Sequence, residues 1–197
     1  MAEFNLAGYL IFVLITSITP GPNNYMLFTY GRTYGFNNAN KLMTGILLGF
    51  FTMLYIAGYG VAEVITTNHT FGLILKIIGS IWMIYLAFVL SNLSSDISAD
   101  KKTILGFTKG YMLQFVNPKA WIMAIAGAGA FMPQFTSIHL NVFVFAAIFS
   151  LVGIPCMIVW VFLGDYISRL LKSERANNIA GYIIFILMIV SVVTIWV

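Results

Sequence analysis

The sequence predicts an all-α polytopic membrane protein: six transmembrane helices form two inverted three-helix repeats, and the first and fourth helices are broken. Three observations carry the prediction. First, hydrophobic residues make up 60% of the chain and charged residues 8%, where a soluble globular domain carries roughly 25% charged. With 6 acidic side chains and a mean hydropathy of +0.95, too little polar surface exists to face water, so lipid must solvate most of the chain. Second, a spanning helix needs about 20 residues for a hydrocarbon core of about 30 Å. A chain of 197 residues holds six such helices with short connectors and no separate soluble domain. Third, two apolar segments are interrupted by prolines and amides at matching places, Pro22 and Pro118, 96 residues apart.

The first segment runs from about Phe4 to Ile18, is interrupted at Thr19 to Asn24 (TPGPNN), and resumes over Tyr25 to Tyr30. It has neither the basic start nor the small-residue cleavage site of a secretory signal, and reads as a span. The second segment, about Leu42 to Val64, and the third, about Phe71 to Leu90, are continuous. Ser91 to Lys102 crowds Asn, Ser, Asp and Lys together and is the linker. The fourth starts near Ile104, breaks at Gln114 to Lys119 (QFVNPK) and continues from Ala120 to Met132, ahead of Pro133. The fifth runs from about Asn141 to Leu163, with Pro155 as a kink, and the sixth from about Asn177 to Val197. Between them lies a charged connector, Asp165 to Asn178. The chain is therefore one membrane domain over 1–197, with repeat 1 at about 1–95 and repeat 2 at about 100–197. A unit of three spans must set its second copy upside down, which is the inverted-topology repeat of secondary transporters.

Basic residues give the orientation. Arg32, Lys41, Lys101, Lys102, Lys109, Arg169, Lys172 and Arg175, eight of the ten, fall in the connectors after spans one, three and five. That side is cytoplasmic, and both termini are expected outside. Because these charges are scattered, the net charge of +4 marks topology and not a nucleic-acid partner. The lone cysteine, Cys156, excludes an intramolecular disulfide, a zinc site of cysteines and a dithiol relay. No nucleotide loop, HExxH or nucleophile elbow occurs, so neither an enzyme nor a cofactor is expected. His69 and His139 read as solvated loop residues, and Glu63 and Asp165 as solvated or interfacial ends of spans two and five. Lys76 reads as structural, snorkelling or pairing with Glu63. Gly45 to Gly49 and Ala126 to Ala130 are small-residue surfaces for close helix packing.

The chemistry concentrates at the two breaks. A proline within a span removes a backbone donor and frees carbonyls that lipid cannot satisfy, so each break must be buried in protein or line a wet cavity. At the second break Asn117 can cap a new half-helix whose first residue is Pro118, with Lys119 in its first turn. At the first break Gly21, Pro22 and Asn23 can do the same. Two half-helix N-termini facing one space would suit a carboxylate. A charge at mid-membrane costs about 2.5 to 3.5 kcal/mol, so Lys119 needs a partner: a freed carbonyl, or a solute or counter-ion in a cavity. Counted at 1.5 Å per residue, both prolines lie about 20 Å in from opposite sides, so a shared site requires the breaks to overlap in height.

With its size, its six apolar segments, TPGP in the first and NPK in the fourth, the chain resembles the LysE/RhtB family of bacterial amino-acid exporters over nearly its whole length. TPGPNN and QFVN are most similar to the cysteine/O-acetylserine exporter branch. The resemblance implies a bacterial inner-membrane protein that exports small amino acids or their derivatives, driven by an ion gradient, with a proton as the expected coupling ion. It departs from the family where many members carry Asp and this chain has Asn23; any coupling role of that Asp must pass to neutral amides or another group. The candidate substrate-binding residues are Pro20, Gly21, Pro22, Asn23, Asn24, Gln114, Asn117, Pro118 and Lys119. The solute's carboxylate is expected near Lys119 and the half-helix amides, and its ammonium near Asn23, Asn24, Gln114 or freed carbonyls. The rival readings are a passive channel, a cation exporter and a non-transporting membrane scaffold. A twofold homodimer is compatible with all of them.

Overall fold

Apolar chain in lipid must close its backbone hydrogen bonds internally, and helices do so within one segment. The computed structural model describes residues 4–61, 69–93, 106–170, 174–193 and 196, and among these all regular structure is helical. In order come α1 (Leu6–Ile18), α2 (Pro22–Tyr34), α3 (Asn40–Ile56), α4 (His69–Leu93), α5 (Phe107–Val116), α6 (Pro118–Phe131), α7 (Ile138–Leu170) and α8 (Glu174–Val193). A short 3₁₀ turn, Phe36–Asn38, precedes α3, and a π-type turn, Ala57–Val61, follows it. Local chemistry sets several ends. Asn5 caps α1 by accepting from the Gly8 amide at 2.9 Å, and α2 stops at Gly35, whose φ of 79° suits a residue without Cβ.

Each helix falls on a segment predicted to be apolar. By length and composition Asn40–Gly60 and Ile138–Leu170 can each cross a membrane, and α1 with α2 makes a third span bent by 53° at its break. The chain is thus a multi-pass helical membrane protein. Several boundaries run past the expected ends: α2 continues to Tyr34, α4 begins at His69 and reaches Leu93, α8 begins at Glu174, and α7 runs unbroken through Pro155 and past Leu163 to Leu170. Asp165 therefore lies buried in a helix and not in a solvated connector. It tolerates burial because Arg169, one turn on, binds both its carboxylate oxygens, at 3.2 and 2.8 Å. His139 likewise sits in the first turn of α7, hydrogen-bonded to the Tyr59 hydroxyl. Lys76 lies 5.9 Å from the centre of the Trp196 ring. Glu63, Lys101, Lys102 and Lys172 lie outside the described residues.

The breaks are positioned by helices packed backbone to backbone. Along the α2–α7 contact a Cβ on Gly31 would stand 2.2 Å from the Val161 carbonyl oxygen, and one on Gly164 would stand 2.0 Å from that of Phe28. Along α3–α5 the expected small-residue surface is used in the same way, Gly45 and Gly49 facing the carbonyls of Phe107 and Tyr111. Beside these contacts Tyr9, Phe50, Phe145 and Phe149 form an aromatic core. The Tyr9 hydroxyl donates to the Phe145 carbonyl at 2.7 Å, so the core satisfies its own polar group. Outward faces such as Ile11, Leu14 and Ile15 of α1 and Ile78, Ile81 and Phe88 of α4 are exposed and apolar, as a lipid-facing surface requires.

Gly164→Val must push α2 and α7 apart. It is expected to destabilise the protein by about 1 to 3 kcal/mol, read as a lower melting temperature in detergent. Gly129→Ala, where a Cβ meets no atom within 4 Å, leaves the melting temperature unchanged; equal melting of the two variants contradicts the packing.

Candidate functional site

At the first break the chain stops its helical ladder at Thr19, and α2 restarts at Pro22, so the carbonyls of residues 17–20 lose their helical donors. Each finds another. Asn24 Nδ2 donates to the Ser17 carbonyl at 2.7 Å and to that of Thr19 at 2.8 Å. Trp160 Nε1, from α7, donates to Ile18 O at 3.1 Å. Lys119 Nζ, from α6, donates to Thr19 O at 2.9 Å, Thr19 Oγ1 at 2.8 Å and Pro20 O at 2.7 Å. Ser191 Oγ, from α8, donates to Pro20 O at 2.5 Å. Four helices thus converge on one interrupted turn.

The second break is settled mostly from within. The Asn117 side chain accepts from the amides of Lys119 and Ala120 at 3.1 and 3.4 Å, capping α6 with Pro118 in its first turn. Gln114 is fully buried and donates to the Gly110 carbonyl at 2.9 Å. Across the gap Asn23 Nδ2 donates to Gln114 Oε1 at 2.7 Å, and Gln114 Nε2 returns a bond to Asn23 Oδ1 at 3.1 Å. Asn117 Nδ2 adds a second bond to that oxygen at 3.3 Å. The two breaks therefore overlap in height and touch.

Between them lies a cavity of about 60 Å³, where one water needs on the order of 10 to 15 Å³ on this measure. Gly21, Pro22, Asn23, Asn24, Asn117 and Lys119 line it. Pro20, Gln114 and Pro118 do not. The Pro20 carbonyl holds Lys119 and Ser191, Gln114 stands behind Asn23, and Pro118 packs against Gly79. Two expectations change in detail. All three Lys119 ammonium donors are taken by the first break, so the lysine already has its partner in freed carbonyls. The α6 amides are covered by Asn117, whereas α2 begins at Gly21 with no side-chain cap, leaving α2 as the open helix end.

Other lining residues were missed by the sequence reading: Phe50 of α3, Met123 of α6, and Ser150, Gly153 and Met157 of α7. The α7 residues recur at helical spacing and were hidden in a continuous apolar run. Trp160 and Ser191 were missed as well; their signal was only a polar group in an apolar span. Lys119 is the one charged residue lining the cavity among the described residues.

A multi-pass helical membrane protein whose broken helices enclose a small cavity with polar groups on its wall has the build of a solute translocator. Residues 14–195 match the family model described as LysE type translocator, and the chain belongs to that family. It is similar to the cysteine/O-acetylserine efflux protein of Escherichia coli O157:H7, 26% identical over 170 residues, covering 85% of this chain and 86% of that protein. The protein of the same name from Salmonella typhimurium is 27% identical over 172 residues, covering 86% and 87%. That from Klebsiella pneumoniae is 23% identical over 165 residues, covering 84% of each. No solved structure matches the chain.

Lys119→Met removes one donor from each of Thr19 O and Pro20 O and is expected to cost about 1 to 3 kcal/mol of stability. In a Ser191→Ala background the cost rises, because Pro20 O then keeps no donor. Detergent melting curves of the two singles and the double check this; strictly additive losses contradict it.

Proposed function

We propose that this protein is a secondary-active exporter of small neutral amino acids or their derivatives, of the cysteine/O-acetylserine kind, in the bacterial inner membrane. The observation that carries the reading is the meeting of the two helix breaks at one cavity lined by Asn23, Asn117 and Lys119. A zwitterionic solute has a carboxylate and an ammonium to satisfy, and the cavity offers complementary groups for both. The carboxylate takes the uncapped α2 amides and one Lys119 N–H, released from a Thr19 or Pro20 carbonyl. The ammonium takes the amide oxygens of Asn23 and Asn24. Solute thus exchanges bonds with the clamp between the breaks and loosens one half of the molecule from the other.

Alternating access then follows from rocking of two inverted three-span repeats about this point, six spans in all, with both termini outside. With Asn23 neutral and Lys119 the one charge lining the cavity among the described residues, the expected coupling ion is a proton carried outside the amide cluster. A twofold homodimer is compatible with this scheme and is not required by it. What supports the substrate class is the name carried by the similar efflux proteins and a small cavity with no acidic residue in its lining among the described residues.

Counterflow of a labelled amino-acid panel in proteoliposomes tests the reading. Serine, cysteine and O-acetylserine are expected to exchange and lysine and glutamate not, and Asn117→Ala is expected to slow exchange about tenfold, the effect of one lost hydrogen bond. No exchange of any solute supports the scaffold, electrogenic flux without a gradient requirement supports the channel, and either result overturns the proposal. Exchange unchanged in both Asn117→Ala and Lys119→Ala removes the site assignment.

A further inference from the structure

Several hydroxyls on the helices of this protein fold back on the preceding turn. Thr16 bonds the Phe12 carbonyl at 2.7 Å, Thr44 that of Asn40 at 2.8 Å and Thr52 that of Leu48 at 2.8 Å. Ser150, in the middle of α7, does not. Its residue is 6% exposed, and its Oγ is one of two buried side-chain polar atoms without a partner among the described residues, the other being Trp82 Nε1. A buried orphan hydroxyl costs stability unless something else bonds it, and Ser150 lines the cavity between the breaks.

One turn further along the same face is Gly153, which also lines the cavity. Glycine within a helix is less favourable than alanine by about 1 kcal/mol, and close packing commonly explains its use. Packing does not explain it here: a Cβ on Gly153 would meet no atom within 4 Å, unlike those on Gly31, Gly45 or Gly164, which would collide with backbone. The glycine leaves space open beside the orphan hydroxyl. Phe50, Met123 and Met157, apolar and uncharged, line the same cavity, together with the amides and lysine of the breaks.

We infer that Ser150 and Gly153 form the side-chain subsite of the transported solute. Ser150 Oγ bonds a polar atom of a short, uncharged side chain, such as a hydroxyl, thiol or ester carbonyl, and the gap at Gly153 sets the length that fits. The inference rests on the exporter reading above. It assigns selectivity to α7, outside both breaks, and leaves the head group of the solute to Asn23, Asn117 and Lys119. A cationic side chain is refused because no acidic residue lines the cavity among the described residues.

The test is counterflow in proteoliposomes with serine against alanine and O-acetylserine against alanine, for the unmodified protein, Ser150→Ala, Gly153→Ala and Gly153→Leu. The unmodified protein is expected to prefer serine over alanine, and Ser150→Ala to shrink that preference by about five- to tenfold, as the loss of one neutral hydrogen bond does. Gly153→Ala is expected to lower O-acetylserine exchange while sparing alanine, and Gly153→Leu to abolish O-acetylserine exchange. Gly153→Ala should fold at least as well as the parent, so detergent melting separates a lost subsite from a lost fold. If the unmodified protein exchanges amino acids but Ser150→Ala and Gly153→Ala keep its serine, alanine and O-acetylserine ratios, the subsite is overturned and the exporter reading stands. If the unmodified protein exchanges no amino acid, both fall.

Discussion

Backbone carbonyls have no solvent inside a membrane, and the residues between α1 and α2 release a row of them. The structure answers with donors from Asn24, Trp160, Lys119 and Ser191, which come from four different helices. The interrupted turn is therefore a hub: α2, α6, α7 and α8 must all be in place for it to be satisfied. A charged lysine is useful at this depth because one ammonium can satisfy three oxygens at once, and because those oxygens stabilise its charge. The same contact fixes both the cost of the break and the location of the cavity beside it.

The two breaks are chemically unequal. At the second, Asn117 closes the helix end with its own side chain, and Gln114 ties the preceding helix to itself and to Asn23. At the first, the helix end is open and the carbonyls are held from outside. A rigid partner beside a dependent one is the arrangement that the proposed exchange of bonds with a solute calls for. The asymmetry also accounts for Gly21, where a Cβ would stand 2.8 Å from Lys119 Cδ. The lysine side chain crosses close over this glycine.

Much of this was legible in the sequence. The helices lie where apolar runs of membrane length predict them, and proline with asparagine marked both breaks because each residue type has a definite place at a helix start. The cost of an unpartnered charge marked Lys119 as a residue in need of a partner, and left open whether that partner was a freed carbonyl or a solute. Other features were hidden for physical reasons. Asp165 looked like a connector residue because its Arg169 partner lies one turn later and its burial is a tertiary fact. Ser150 and Gly153 sit in a run apolar on all sides, where periodicity cannot tell a face toward lipid from a face toward a cavity. Trp160 and Ser191 act through single polar atoms that composition does not reveal. Sequence depth counting left open whether the breaks meet, and helix packing through Gly31, Gly164, Gly45 and Gly49 decided it.

The central claim is that the breaks are held together as one unit, and the reciprocal amide pair between Asn23 and Gln114 is its most direct expression. A double-mutant cycle on the stability of Asn23→Ala, Gln114→Ala and the double variant in detergent measures that coupling. The structure predicts a coupling of about 1 kcal/mol or more, with the double variant losing clearly less than the two singles combined. Losses that add to within about 0.5 kcal/mol would place the two amides in separate environments and contradict the account.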